Sequence, residues 1–211
     1  MTDFDFQAIL IVAIPVIFAI TVHEFAHGWV AHKCGDSTAK MLGRLTLNPI
    51  KHIDPIGTIL VPAVLYMTSG FLFGWAKPVP INYNALNSPK RDMSWVALAG
   101  PMSNFVMAGL WLSAIFLAVE FQSQFLIKMA SVGISINLIL GVLNLLPLPP
   151  LDGSRIVASL LPDKLAYEYN KLEAYGLYIL LGLLFLGIFE KVILPIVKIL
   201  QSFMLSAAGF V

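Results

Sequence analysis

Long apolar stretches, separated by short polar ones, set the pattern of this chain. They run over about residues 6–33, 55–73, 93–119, 126–147, 151–161 and 174–189, with a mixed tail at 192–211. A helix needs about 20 mostly apolar residues to cross a hydrocarbon core of roughly 30 Å. The first, third and fourth stretches meet that length. Stretch 174–189 meets it only by continuing past Glu190 and Lys191 into the tail. Stretch 55–73 is marginal and is interrupted by proline and glycine. Its reading is a re-entrant or half-inserted segment, because irregular backbone at membrane depth is tolerated where protein buries it. The pattern therefore predicts an all-α polytopic membrane protein. A re-entrant or extended segment should lie between the first span and the next full one. The polar stretches 33–54, 74–92 and 162–173 are too short for a separate core, so residues 1–211 read as one integral-membrane domain.

Composition agrees with this pattern. Of 211 residues, 58% are hydrophobic and 12% charged, against about 25% charged in soluble domains. A formal net charge of +1 gives no reason to expect a nucleic-acid partner. One cysteine, Cys34, cannot form an internal disulfide. The start MTDFDFQ carries two aspartates and no basic residue, unlike the basic start of a secretory signal, so the first apolar segment is expected to be retained.

The basic residues test the topology. If 55–73 does not cross, one side of the membrane holds Lys33, Lys40, Arg44, Lys51, Lys77, Lys90, Arg91, Arg155, Lys164 and Lys171. The region around 121–128 on the other side holds only Lys128. Such asymmetry marks the basic side as cytoplasmic. If 55–73 crosses, the bias largely disappears.

Against this apolar background, the stretch TVHEFAHGWVAHKCGD stands out. His23 and His27 are four residues apart and share one helix face, so their imidazoles can hold one metal ion. Glu24 is adjacent and can reach a water on that metal. This is the H-E-x-x-H arrangement of zinc peptidases, with the glutamate as general base. The plainer reading is a pair of buried, mutually bonded histidines. It is disfavoured because ionisable residues inside spans are functional by default. Catalytic zinc takes three protein ligands and a water. His32 lies off the shared face, and His52 sits in a polar loop. The better third candidate is Asp152 in NLLPLPPLDGSR, Asn144 to Arg155. Pro147, Pro149 and Pro150 break the helix there, and a carboxylate in such a place is costly unless paired or metal-bound. Asp152 could otherwise cap the following helix.

HEFAH together with NLLPLPPLDG resembles the site-2 protease family of intramembrane zinc metalloproteases (peptidase family M50). The family pairs HExxH on one span with N-x-x-P-x-x-x-L-D-G on a later one. ALAGPMSN, Ala97 to Asn104, resembles the start of the family's intervening span. LGRLTLNPIKHIDPIGT and GWAKPVPI resemble its compact branch without a PDZ domain. The resemblance covers about residues 18–160, taken as the core, with C-terminal helices over about 172–211. It implies a site-2 protease-like helical core with one Zn²⁺ on His23, His27 and Asp152, and Glu24 activating the water. Asn144 matches the motif's asparagine. It either holds substrate or the developing oxyanion, or satisfies backbone freed by the prolines. The resemblance further implies a single-span membrane protein as substrate, hydrolysed in or near its span. The location it implies is the bacterial cytoplasmic membrane, with the site towards the cytoplasmic side.

The loops carry further expectations. Pro78 and Pro80 favour extended backbone at Lys77 and Val79, so 71–83 could pair with an unwound substrate strand or be an ordinary connection. Residues 43–57 read as a turn-rich strand lining the cytoplasmic mouth, with Arg44 either paired to Asp54 or bound to lipid phosphate. The AGP at 99–101 should allow close packing of spans. The competing functions are a membrane metal-ion transporter, which would need polar residues spread along a path, and a non-proteolytic homologue, against which the intact Glu24 argues.

Overall fold

The computed structural model describes residues 6–69 and 74–210. Residues 1–5 and 70–73, the latter shared by the expected re-entrant and extended segments, lie outside them. Three long apolar helices form the core: α1 (Phe6–Lys33), α4 (Pro89–Glu120) and α5 (Gln124–Asn144). Each is long and apolar enough to cross a bilayer. Shorter helices complete the chain: α2 (Thr38–Met41), α3 (Val61–Ser69), α6 (Asp152–Leu160), α7 (Asp163–Asn170), α8 (Gly176–Phe185) and α9 (Leu194–Ala207). Asp163–Phe185, which joins α7 to α8, and Phe189–Ala207, which contains α9, form a pair bent by 73° that amounts to a fourth span if taken as one. The chain is a multi-pass, all-α membrane protein, and no strand occurs among the described residues.

Small residues decide how closely the long helices approach. α4 runs antiparallel to α1, with Asn104 beside Ala19 and Val96 beside His27. It also runs antiparallel to α5, with Asn104 beside Asn137 and the Trp111 ring lying where a side chain on Gly133 would be. The α4–α5 seam is filled by Ala108, Ile115, Ala130, Ile134 and Leu138, and Ile193 and Val197 close it from the α9 side. Lipid tails are as apolar as leucine, so this close packing of small residues, rather than water exclusion, holds the spans together.

The polar ends of the helices gather at one end of the bundle. Lys90 at the start of α4 donates to the Leu161 carbonyl at 2.6 Å and to Asp163 at 2.8 Å, tying α4 to the α6–α7 joint. The segment after Asp54 enters and returns on that same side. Trp75 N–H donates to the Gly57 carbonyl at 3.0 Å, and the Thr58 hydroxyl donates to the Trp75 carbonyl at 2.8 Å. Its two described ends therefore lie side by side, the arrangement that a re-entrant path requires. Where it is described, it is helical: a π-helical turn over Pro55–Leu60 leads into α3.

The strand expected over 43–57 is absent. Residues 43–48 form turns and bends, and Pro49–His52 is a 3₁₀ turn. The cause is local: the side chain of Asn48 accepts from Ile50 N–H, and that of Asp54 accepts from Ile56 and Gly57 N–H. Each polar cap is followed by a proline at the first helical position, which starts a helical turn.

Residues 74–82 form a strap without regular structure that crosses α1. Asp36 anchors its far end. The carboxylate accepts from Asn82 N–H at 2.6 Å and from Thr38 N–H at 2.9 Å. Burial raises its pKa, but the hydrogen bonds from Thr38 and Asn82 outweigh that and hold it below the ordinary value. A carboxyl with a depressed folded pKa stabilises above its unfolded pKa and loses that contribution as pH falls through the folded value. We predict that Asp36→Ala destabilises the protein by on the order of 2 kcal/mol at neutral pH. The gap from wild type should narrow below about pH 4. Thermal unfolding in detergent across pH measures both; a gap that widens in acid would contradict this assignment.

Candidate metal centre

Three elements bring the candidate ligands together. His23 and His27 lie one turn apart on α1, and Asp152 is the first residue of α6. The proline break after α5 turns the chain so sharply that a side chain on Gly153 would strike the Leu145 and Leu146 carbonyls. This accounts for the glycine after Asp152, since any Cβ there would push α6 away from the end of α5. On the opposite side, a side chain on Gly100 of α4 would collide with the rings of His27 and His23. The small residue in AGP thus admits the two imidazoles themselves, as well as the neighbouring helix.

His23 Nε2 and His27 Nε2 are 3.0 Å apart, and Asp152 Oδ2 lies 3.2 and 3.3 Å from them. The other ring nitrogens show which protons are present. His27 Nδ1 is 2.7 Å from the Val96 carbonyl, which can only accept, so the proton is on Nδ1. His23 Nδ1 is 2.6 Å from Asn104 Oδ1. The Asn104 amide cannot be reversed, because its Nδ2 donates to the Ala19 carbonyl at 3.3 Å and to Asn137 Oδ1 at 3.0 Å. Asn137 is oriented in turn by donating to the Gly133 carbonyl at 2.8 Å. In the neutral form of each ring, Nε2 therefore presents its lone pair to the cluster.

Two imidazole nitrogens and a carboxylate oxygen converge. Asp152 Oδ2 is buried without a hydrogen-bond partner. Such a cluster is repulsive alone and satisfied by a cation. Ligands about 2.0–2.1 Å from a tetrahedral zinc lie about 3.3 Å from one another, so the observed spacing fits that ion. Each histidine also has the hydrogen-bonded outer nitrogen usual for metal ligands. Among the described residues, this is the one group of three that could hold a metal.

The other candidates separate clearly. His32 pairs with the Ser37 hydroxyl at 3.1 Å, and His52 Nε2 lies 2.9 Å from the Thr46 carbonyl; neither joins the cluster. Asp152 makes no capping bond, since Leu151 precedes α6 without one. Glu24 lines the same cavity of about 600 Å³ as the three ligand residues, together with Asn144 and the strap. Its Oε2 accepts from Val79 N–H at 2.7 Å. Asn144 Nδ2 donates to the Leu140 carbonyl at 3.0 Å, so part of its amide serves its own helix. Arg44 is not paired with Asp54: it donates to the Lys77 and Pro78 carbonyls.

Sequence reasoning missed Asn104 and Asn137, both fully buried. The available signal was an amide in the middle of an apolar span, where asparagine bonds across helices. Asn104 even sits inside ALAGPMSN, which was read for its glycine and proline.

The profile of Peptidase family M50 matches residues 120–187. The chain is 41% identical over 192 residues to the "Putative zinc metalloprotease YwhC" of Bacillus subtilis, covering 88% of this chain and 84% of that protein. It is 33% identical over 142 residues to the "Putative zinc metalloprotease Rip2" of Mycolicibacterium smegmatis, covering 65% of this chain and 52% of the relative. The Rip2 protein of Mycobacterium tuberculosis is 30% identical over 137 residues, with the same coverage. No solved structure matches. The family match falls on the half of the chain that carries Asp152, and the likeness to the Bacillus protein spans nearly the whole length of both; the chain belongs to peptidase family M50.

Proposed function

We propose that this protein is an intramembrane zinc metalloprotease of the site-2 protease type. It hydrolyses peptide bonds in or near the span of a single-span membrane protein. The observation that carries this reading is the triangle of His23 Nε2, His27 Nε2 and Asp152 Oδ2 beside Glu24 in one cavity. Its setting is a bacterial cytoplasmic membrane. The site opens towards the cytoplasmic side, as the clustering of basic residues at that end of the bundle supports.

His23, His27 and Asp152 would hold the ion. Zinc bound there supplies Lewis-acid polarisation of the scissile carbonyl and an acidified water. Glu24 takes the proton of the attacking water through the oxygen not engaged by Val79, and later delivers it to the leaving amine. Asn144 spends one amide hydrogen on Leu140 and keeps a second, which can donate to the oxyanion. The strap lines the cavity from Gly74 to Ile81 and gives an unwound substrate an extended backbone to lie against. A transporter would need a polar path across the membrane, whereas these groups gather at one level.

Cleavage of a tagged single-span substrate in liposomes tests the reading. Glu24→Gln should lose about 10²- to 10⁴-fold in turnover while retaining one zinc per chain by elemental analysis. Full turnover in that variant would remove Glu24 from the chemistry. The outer partners make a second prediction. Asn104→Leu should weaken zinc binding about 10- to 100-fold, measured by chelator competition, because nothing then fixes the His23 proton on Nδ1. Unchanged zinc affinity would show that Asn104 only packs α4 against its neighbours.

A further inference from the structure

Arg44 and Glu24 face the same peptide bond from opposite ends. Arg44 Nη2 donates to the Lys77 carbonyl at 3.0 Å and to the Pro78 carbonyl at 3.3 Å. The Pro78 carbonyl belongs to the peptide whose N–H, that of Val79, donates to Glu24 Oε2 at 2.7 Å. We propose that Arg44 is the positioning residue of the general base, acting through the Pro78–Val79 peptide; this rests on the reading of Glu24 as that base.

The chemistry of the strap leaves few other ways to hold the carboxylate. Pro78 and Pro80 have no N–H, so Val79 supplies the one main-chain donor of residues 78–80. Proline after Val79 holds that residue in extended backbone. Its side chain is buried, 5% exposed, against Gly28, where an added Cβ would stand 3.0 Å from Val79 Cγ1. Gly28 is one helical turn beyond Glu24, so the strap docks on the turn of α1 that carries the base. The strap is held along its length by Trp75 N–H on the Gly57 carbonyl, Lys77 N–H on the His52 carbonyl and Asn82 N–H on Asp36.

The electrostatics run in one direction. The peptide dipole has its positive N–H end at the carboxylate and its negative carbonyl end at the guanidinium. A cation on the carbonyl polarises the N–H and strengthens its bond to Glu24. Arg44 Nε is buried without a partner, so the guanidinium is oriented by the two strap carbonyls rather than by its own best satisfaction. With Oε2 fixed by Val79, the other oxygen of Glu24 is free for the attacking water. Without the bond, the carboxylate can turn, and misplacing a reacting group by about 1 Å costs on the order of 10²-fold.

The test compares Arg44→Met, Arg44→Lys, Val79→Pro and the Arg44→Met/Val79→Pro double variant. The readouts are kcat and KM on the single-span substrate, with zinc content of each sample. Arg44→Met should lower kcat about 10- to 100-fold, with KM and zinc content near wild type. Arg44→Lys should recover part of the loss, since an ammonium restores the charge but not the fork. Val79→Pro removes the N–H, and the double variant should be no slower than Val79→Pro alone. An independent readout does not need that variant to fold. In protein labelled with ¹⁵N-valine, the Val79 amide proton should move upfield in both Glu24→Gln and Arg44→Met. Wild-type kcat in Arg44→Met, a rise in KM alone, multiplying losses in the double variant, or a Val79 resonance insensitive to both substitutions would each overturn the proposal. If Glu24→Gln abolishes cleavage while Arg44→Met does not, Glu24 stands as base and only the positioning role falls. Cleavage by Glu24→Gln would bring down the proposed function itself.

Discussion

Two imidazole nitrogens and a carboxylate oxygen lie within 3.3 Å of one another. They do so inside a bundle whose outer surface is built for lipid. Holding them there without a cation is costly in a medium that screens poorly. Much of the structure serves that convergence. Gly100 leaves room for both rings, and Gly153 lets α6 start hard against the end of α5. The Val96 carbonyl and Asn104 keep each proton on the far side of its ring. A cation such as zinc, held there, would satisfy all three groups at once.

The amide relay extends this constraint across all three long helices. Its orientation is set by the Gly133 carbonyl on α5. It passes through Asn137 and Asn104, and ends at His23 on α1. Each step has one permissible direction, because carbonyl oxygens only accept. A neutral pair of buried asparagines thus decides the tautomer of a metal ligand without placing another charge in the membrane. The strap does comparable work along the same cavity. There Glu24 Oε2 accepts a main-chain N–H, which leaves its other oxygen for a second partner.

The spans and the candidate ligand triad were legible in the sequence because each leaves a strong local mark. Apolar length reports a span, and two histidines at i and i+4 report a shared face. Asp152 was legible because a carboxylate among prolines is hard to explain otherwise. The loops were not legible to the same degree. Residues 43–49 and 52–57 read as a turn-rich strand, but the caps of Asn48 and Asp54, each preceding a proline, impose helical turns. The partner of Arg44 could not be read either. Main-chain carbonyls are present at every residue, and only the three-dimensional path of the strap brings those of Lys77 and Pro78 within reach. The roles of Asn104 and Asn137 were hidden for the same reason, since an amide in a span announces a hydrogen bond but not its target.

The most direct test of this account is zinc K-edge X-ray absorption on the metal-loaded protein and on Asp152→Ala. The account predicts a four-coordinate site of nitrogen and oxygen ligands at about 2.0–2.2 Å, with two imidazoles per zinc. The carboxylate contribution should be absent from the variant. A sulfur ligand from Cys34, a third imidazole from His32 or His52, or a spectrum indifferent to Asp152 would contradict it.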